Sequence, residues 1–95
     1  MRNYEFTVIF DANEEQTAKG LELILAEFNT AQVEIVKQDD MGVRNLAYLI
    51  KKQDKGHYFY FELKADPATI NVFNNSFKLM MPVLKFLFVH KETEV

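Results

Sequence analysis

Residues 53–67 read QDKGHYFYFELKADP, and the order of signals within them decides the fold. Gln53-Asp54-Lys55-Gly56 has the composition of a tight hairpin turn, polar and closed by glycine. The following residues alternate as a strand does: His57, Phe59, Phe61 and Leu63 fall on one face, Tyr58, Tyr60, Glu62 and Lys64 on the other. The first face is almost wholly apolar and is expected to bury. The second carries two phenols and a pair of opposite charges. Asp66-Pro67 then starts a helix, with aspartate as N-cap and proline at the first helical position. Turn, half-buried strand and helix in that sequence form the middle of a βαββαβ pattern.

The flanks supply the remaining elements. Residues 4–10 alternate, with Tyr4, Phe6, Val8 and Phe10 on one side and Glu5, Thr7 and Ile9 on the other, which predicts a half-buried strand. Asn13 is followed three residues later by Gln16, and Glu14 and Glu15 suit a helix N-terminus. Thr17, Leu21, Ile24, Leu25 and Phe28 then recur at three and four, an amphipathic helix running to about Phe28. Gly20 lies inside it at a cost in helix propensity, and its bare Cα would permit close packing. A second strand starts at residues 33–36 and continues or resumes at residues 43–50, with the polar QDDMG between them marking a bulge or a bend. Ile70, Phe73, Phe77 and Met80 give the second helix its apolar stripe. Pro82 is expected to end that helix, and residues 83–89 form the last strand. No repeat, low-complexity segment or linker interrupts the chain, so residues 1–95 are expected to form one domain. The expected class is α+β: a ferredoxin-like sandwich with a four-stranded antiparallel sheet and two helices on one face.

Composition narrows the function classes. With 48% hydrophobic and 14% aromatic residues the chain can fill a core. The absence of cysteine removes disulfide frameworks and thiolate metal sites. MRNYEF at the start lacks a charged-then-apolar signal region, and no apolar run approaches the ~20 residues of a membrane helix, so a soluble, intracellular, cytoplasmic protein without a membrane partner is expected. A net charge of −3 argues against general coating of phosphates. The acids gather at Glu14, Glu15, Glu22 and Glu27 on the first helix. The cations Arg2, Arg44, Lys51, Lys52, Lys55 and Lys85 lie in or beside strands, so an acidic chain can still present one basic edge.

The rings of residues 57–61 pose a chemical question: do they stack on bases or fill a core? The RNA-recognition signature K/R-G-F/Y-G/A-F-V-x-F/Y matches only at Lys55, Gly56 and Phe59. Phe59 and Phe61 read as core, and Tyr58 and Tyr60 as the candidate contact surface for RNA or a protein partner, because a ring with a polar tip suits a half-exposed face. His57 and His90 have no further ligand at metal spacing, so no metal or other cofactor is expected. Asp39, Asp40 and Asp54 read as acids that solvate turns. Ser76 is the sole serine and no Ser, Cys or His arrangement supplies a nucleophile with a base, so no enzyme is expected. Gly20, Gly42 and Gly56 are isolated and make no phosphate-cradling loop.

Residues 42–50, GVRNLAYLI, resemble the G-x-R-x-L-A-Y-P-I segment of the bacterial small-subunit ribosomal protein six family. MRNYE at residues 1–5 is similar to that family's M-R-x-Y-E opening. KGHYF at residues 55–59 lies where the family has its hairpin return, and PVLKFLFV at residues 82–89 resembles a V-x-R segment in the last strand. The resemblance spans essentially the whole chain. It implies a ribosome-associated structural protein without catalytic activity or small-molecule substrate. Its partners would be the central domain of small-subunit ribosomal RNA and ribosomal protein eighteen. Carried over by position, Arg2, Arg44 and Lys85 would face RNA, with Tyr4 and Tyr48 near them. Leu49 stands where the family has proline, which returns a backbone donor and is expected to make that strand more regular. From residue types alone Arg44 and Lys85 read as ordinary solvated charges, and it is the resemblance that turns them towards RNA. A small ligand-binding or acylphosphatase-like domain on the same scaffold is the alternative, since the fold hosts many functions.

Overall fold

Alternation turns Tyr4, Phe6, Val8 and Phe10 to one side of the first strand, and all four are buried. The computed structural model describes residues 2–91. Within them the elements run β1 (Arg2–Asp11), α1 (Glu14–Thr30), β2 (Glu34–Ile50), β3 (Gln53–Ala65), α2 (Pro67–Ser76), a 3₁₀ turn (Phe77–Leu79) and β4 (Val83–Lys91). All neighbouring strands are antiparallel, in the order β2-β3-β1-β4. Both helices lie on one face, which makes the ferredoxin-like βαββαβ sandwich the fold. The core forms between that face and the helices, from Phe6, Phe61 and Leu63 below and Ile24, Phe28, Ile70, Phe73 and Phe77 above. Phe6 is its hub: the ring stacks on Phe88 at 4.3 Å and meets Phe28 edge-on at 5.7 Å. Each such ring removed from water contributes ~1.5–3 kcal/mol, before the preference for these ring geometries is added.

The start of α1 follows from side-chain chemistry. Asn13 Oδ1 accepts from the N–H groups of Glu15 and Gln16 at 3.0 and 3.2 Å, satisfying two donors that the helix itself cannot. The reciprocal half of a capping box is supplied differently: the Asn13 N–H donates to Asp11 Oδ1 at 3.0 Å rather than to Gln16. The helix runs past the expected Phe28 to Thr30. Gly20 packs where no side chain fits, since a Cβ there would stand 2.5 Å from Phe10 Cδ1 and 3.0 Å from Pro82 Cβ.

Three local expectations are corrected, and one, Asp66 as the N-cap of α2, holds in position but not through its side chain. The hairpin turn lies at Lys51-Lys52, between the paired Ile50 and Gln53, and not at residues 53–56. Both lysines have positive φ, 49° and 66°, as a two-residue primed turn demands, although neither is the glycine or asparagine that adopts it cheaply. Gly56 belongs to the ladder instead, opposite Asp11 and Arg44. Second, α2 ends at Ser76, where Asn74-Asn75-Ser76 are poor helix formers, and Pro82 comes too late to terminate it. Third, Asp66 occupies the N-cap position ahead of Pro67, but its carboxylate makes no capping bond; its backbone carbonyl accepts from Thr69 and Ile70. Fourth, the stretch that carries Leu49 is not regular: the register shifts between Asn45 and Ile50. The QDDMG stretch is a bulge within one continuous β2. Gly42 takes φ 81° there, and its N–H donates to Asp40 Oδ1 at 2.9 Å.

Candidate nucleic-acid interface

The ladder registers define the face that the helices leave open. Across β4, β1, β3 and β2 it presents rows in which Lys85, Ile9, Tyr58 and Gly42 are neighbours, then Leu87, Thr7, Tyr60 and Asp39, then Val89, Glu5, Glu62 and Lys37. Phe59 and Phe61 point the other way and are 4% and 0% exposed. The position that stacks bases in an RNA-recognition signature is therefore core here, and Tyr58 and Tyr60 face outward.

Charge on this face is sorted by position. Tyr60 lies among acids: its hydroxyl donates to Glu5 Oε2 at 2.6 Å, and that bond, with burial and the nearby Glu62 and Asp39, pushes the phenol up to about 12. The lysines of this half are paired internally, Lys91 with Glu62 at 3.3 Å, Lys37 with Asp39 at 3.5 Å and Lys64 with Glu34 at 3.7 Å. Tyr58 lies beside a cation, with the Arg44 guanidinium 5.8 Å from its ring centre. Among the described residues, Arg44, Lys51, Lys52, Lys55, Lys78 and Lys85 make no ion pair.

The β2–β3 hairpin assembles this basic end. Its tip reaches past β3 and β1 to the edge strand: the Lys51 ammonium donates to the Val83 carbonyl at 2.8 Å, and Lys85 donates to the Tyr48 hydroxyl at 3.1 Å. The Lys85 ammonium lies off the hydroxyl edge of Tyr48, 5.8 Å from the ring centre, and Tyr48 itself is 62% exposed. Leu46 and Ile9 close over Gly56 and bury it. Residues far apart in the chain, Arg44, Tyr48, Tyr58 and Lys85, thus come together on one exposed aromatic and cationic surface.

The other two expected contacts lie elsewhere. Arg2 pairs with Ala65 at the far end of β1 from the Asp11–Gly56 pair, a strand length of roughly 30 Å away. Tyr4 is 7% exposed, because its parity with Phe6 turns the ring into the core, where it lies 5.4 Å from His90. A base cannot stack on it without displacing core. His57 is explained locally too: Nε2 lies 2.6 Å from Asp40 Oδ1, and the ring stacks on Phe59 at 4.8 Å. Among the described residues no three His, Asp or Glu side chains are grouped to hold a metal ion, and no helix is long and apolar enough to cross a membrane. Residue types alone did not single out Lys78, on the 3₁₀ turn, because a lone lysine after a helix carries no motif.

Comparison with known proteins adds independent findings. The family model described as Ribosomal protein S6 matches residues 3–90. The small ribosomal subunit protein bS6 of Treponema denticola is 40% identical, over 97% of this chain and 99% of its own length. That of Treponema pallidum is 30% identical, over 98% and 100%. In structure, the 30S ribosomal protein S6 of Thermotoga maritima superposes with a TM-score of 0.83 at 22% identity, covering 95% of this chain and 87% of its own. The C-terminal domain of MgtC from Mycobacterium tuberculosis reaches 0.65 at 13% identity, covering 97% and 89%, a likeness of scaffold alone.

Proposed function

This chain belongs to the ribosomal protein S6 family, a family of small-ribosomal-subunit structural proteins, and from that premise we propose that it binds the central domain of small-subunit ribosomal RNA together with ribosomal protein eighteen. The observation that carries the RNA reading is the segregation of charge: unpaired cations and exposed rings share one end of the open face, and the remaining lysines of that face are neutralised by its acids. Phosphates would position the protein on Arg44 and Lys85, and irregular or single-stranded RNA would offer bases to Tyr48 and Tyr58. Arg2 would be a separate contact at the opposite end, and Tyr60 belongs with the acidic half as a surface for a basic protein partner. A cytoplasmic, ribosome-associated location follows from the same reading.

Binding by the isolated chain is expected to be weak. Three or so phosphate contacts leave an affinity near the non-specific range, ~10⁻⁴ to 10⁻⁶ M at physiological salt. A basic partner on the Glu5–Glu62 half would enlarge the interface and add cations. The test is a titration of central-domain RNA with this protein, with and without ribosomal protein eighteen, at one fixed salt concentration. Cooperative tightening by the partner is the expected result. Tight, specific binding by the chain alone would remove the partner requirement, and no binding in either arm would remove the RNA reading.

A further inference from the structure

Behind the exposed face, along the free edge of β4, lies an open groove of about 360 Å³ lined by Lys51, Lys78, Lys85 and Asn74 and by residues 83–86. No carboxylate lines it, in a chain where acids outnumber cations by fourteen to eleven. The depression beside the start of α1 differs sharply: Asp11 and Glu15 line it, and it would repel an anion. Two of the three ammonium groups are already oriented, Lys51 by the Val83 carbonyl and Lys85 by the Tyr48 hydroxyl. Each of those bonds uses one of three donors, so both lysines keep N–H groups for a ligand. Their rotamer freedom is reduced before the ligand arrives, which favours binding. On the other side of Lys85, sharing that residue and Phe86, is a second, mainly apolar depression of about 250 Å³ formed with Thr7, Ile9 and Leu87.

A basic groove and an apolar depression on either side of one lysine complement the two halves of a nucleotide. We propose that one nucleotide of the bound RNA straddles β4, its phosphate held by Lys51, Lys78 and Lys85 and its base laid against Leu87. The proposal rests on the RNA-binding reading above and extends the interface round the sheet edge to a lysine outside the open face. The phosphate needs no carboxylate displaced, because Lys51, Lys78 and Lys85 have none among the described residues. Leu87, 60% exposed and pointing off the open face, offers apolar surface that a base can cover.

The experiment titrates a central-domain RNA fragment into the full chain with ribosomal protein eighteen over a range of salt, for the wild type and for Lys78→Ala, Leu87→Ala, Arg44→Ala and a control, Lys19→Ala. Lys78→Ala is expected to weaken binding several-fold and to flatten the slope of log K against log salt by ~0.7–0.9, the loss of one phosphate contact. Leu87→Ala is expected to weaken binding with the slope unchanged, and Lys19→Ala to match the wild type. Wild-type binding by Lys78→Ala and Leu87→Ala, with Arg44→Ala weakened, would overturn the groove and leave the RNA reading standing. Unchanged binding in all variants, Arg44→Ala included, would overturn both. A lowered melting temperature in Lys78→Ala with RNA affinity intact would give that lysine a structural role in the 3₁₀ turn after α2 and overturn the site. Inorganic phosphate at matched ionic strength is the last arm: displacement of RNA from the wild type but not from Lys78→Ala would make free phosphate the ligand and overturn the strand assignment.

Discussion

Phe61 and Tyr60 are adjacent in the chain and point in opposite directions, and the difference sets their energetic weight. Phe61 is fully buried against Phe6, Phe28 and Phe59. Phe61→Ala is expected to destabilise by ~3–5 kcal/mol through lost transfer energy and a cavity. Tyr60→Ala, which loses a half-buried ring and one bond to Glu5, is expected to cost distinctly less in the same denaturant titration; the reverse order would mean that the two faces had been exchanged. Asp40 offers a pH test. The hydrogen bond to His57, with that from the Gly42 N–H, holds its carboxyl below the usual carboxylate range. A depressed folded-state value contributes stability that is present above the unfolded value and lost as pH falls through the folded one. Asp40→Ala should therefore melt lower than wild type near neutral pH, and the gap should close well below pH ~4. A gap independent of pH would assign the effect to the bulge geometry alone.

At the scale of elements, α1 and the β2–β3 hairpin depend on close approach rather than on propensity. In an exposed helix, replacing glycine by alanine gains ~0.5–1 kcal/mol. At Gly20 the added methyl would meet the fully buried Phe10 ring at 2.5 Å, and Phe10 is hemmed in by Phe59. Overpacking of that kind costs ~1–3 kcal/mol, so the steric term wins and Gly20→Ala should lower the denaturation midpoint. A stabilised variant would show that α1 can lift off β1 at little cost. The hairpin is placed by contacts distant in sequence: Lys51 on Val83 and Tyr48 on Lys85 bind its tip to β4. Without them the tip would be a projecting arm, and the basic surface would be split in two.

For the whole molecule the controlling feature is where charge remains unpaired. Arg44→Ala and Lys85→Ala are each expected to weaken assembly into the ribosomal particle while leaving the circular dichroism melt close to that of the wild type, because both side chains are exposed. Together they should flatten the salt dependence of RNA binding by ~1.4–1.8 in slope. Arg2→Ala, a strand length away, should act independently, and its effect should add to theirs. Unchanged affinity and slope in the Arg44→Ala, Lys85→Ala double variant would show that the basic end does not touch RNA.

Much of this was legible in the chain. Period-two alternation in residues 4–10 and 57–63 and the recurrence of apolar residues from Thr17 to Phe28 determined which faces bury, because side-chain direction follows from backbone repeat alone. Asn13 placed the start of α1 for an equally local reason, since a cap bonds N–H groups two and three residues on. The bulge was readable because the polar QDDMG interrupts two strand-like runs, although the left-handed φ of Gly42 within it came only from the structure. The hairpin turn was not, because Lys51 and Lys52 adopt a conformation that their type disfavours, and only the pairing of Ile50 with Gln53 and the hold of β4 on the tip enforce it. For the same reason sequence named Arg44, Tyr48 and Lys85 but could not join them, nor detach Arg2. Tyr4, by contrast, was already on the buried side by its parity with Phe6, and only the carry-over by family position had turned it towards RNA. Which cations keep an unpaired charge depends on strand order and register, where Lys37, Lys64 and Lys91 meet acids from other strands or from two residues along, and Lys51, Lys78 and Lys85 meet none. That choice is made by tertiary structure, since an ion pair forms by distance in space and a motif records only distance along the chain.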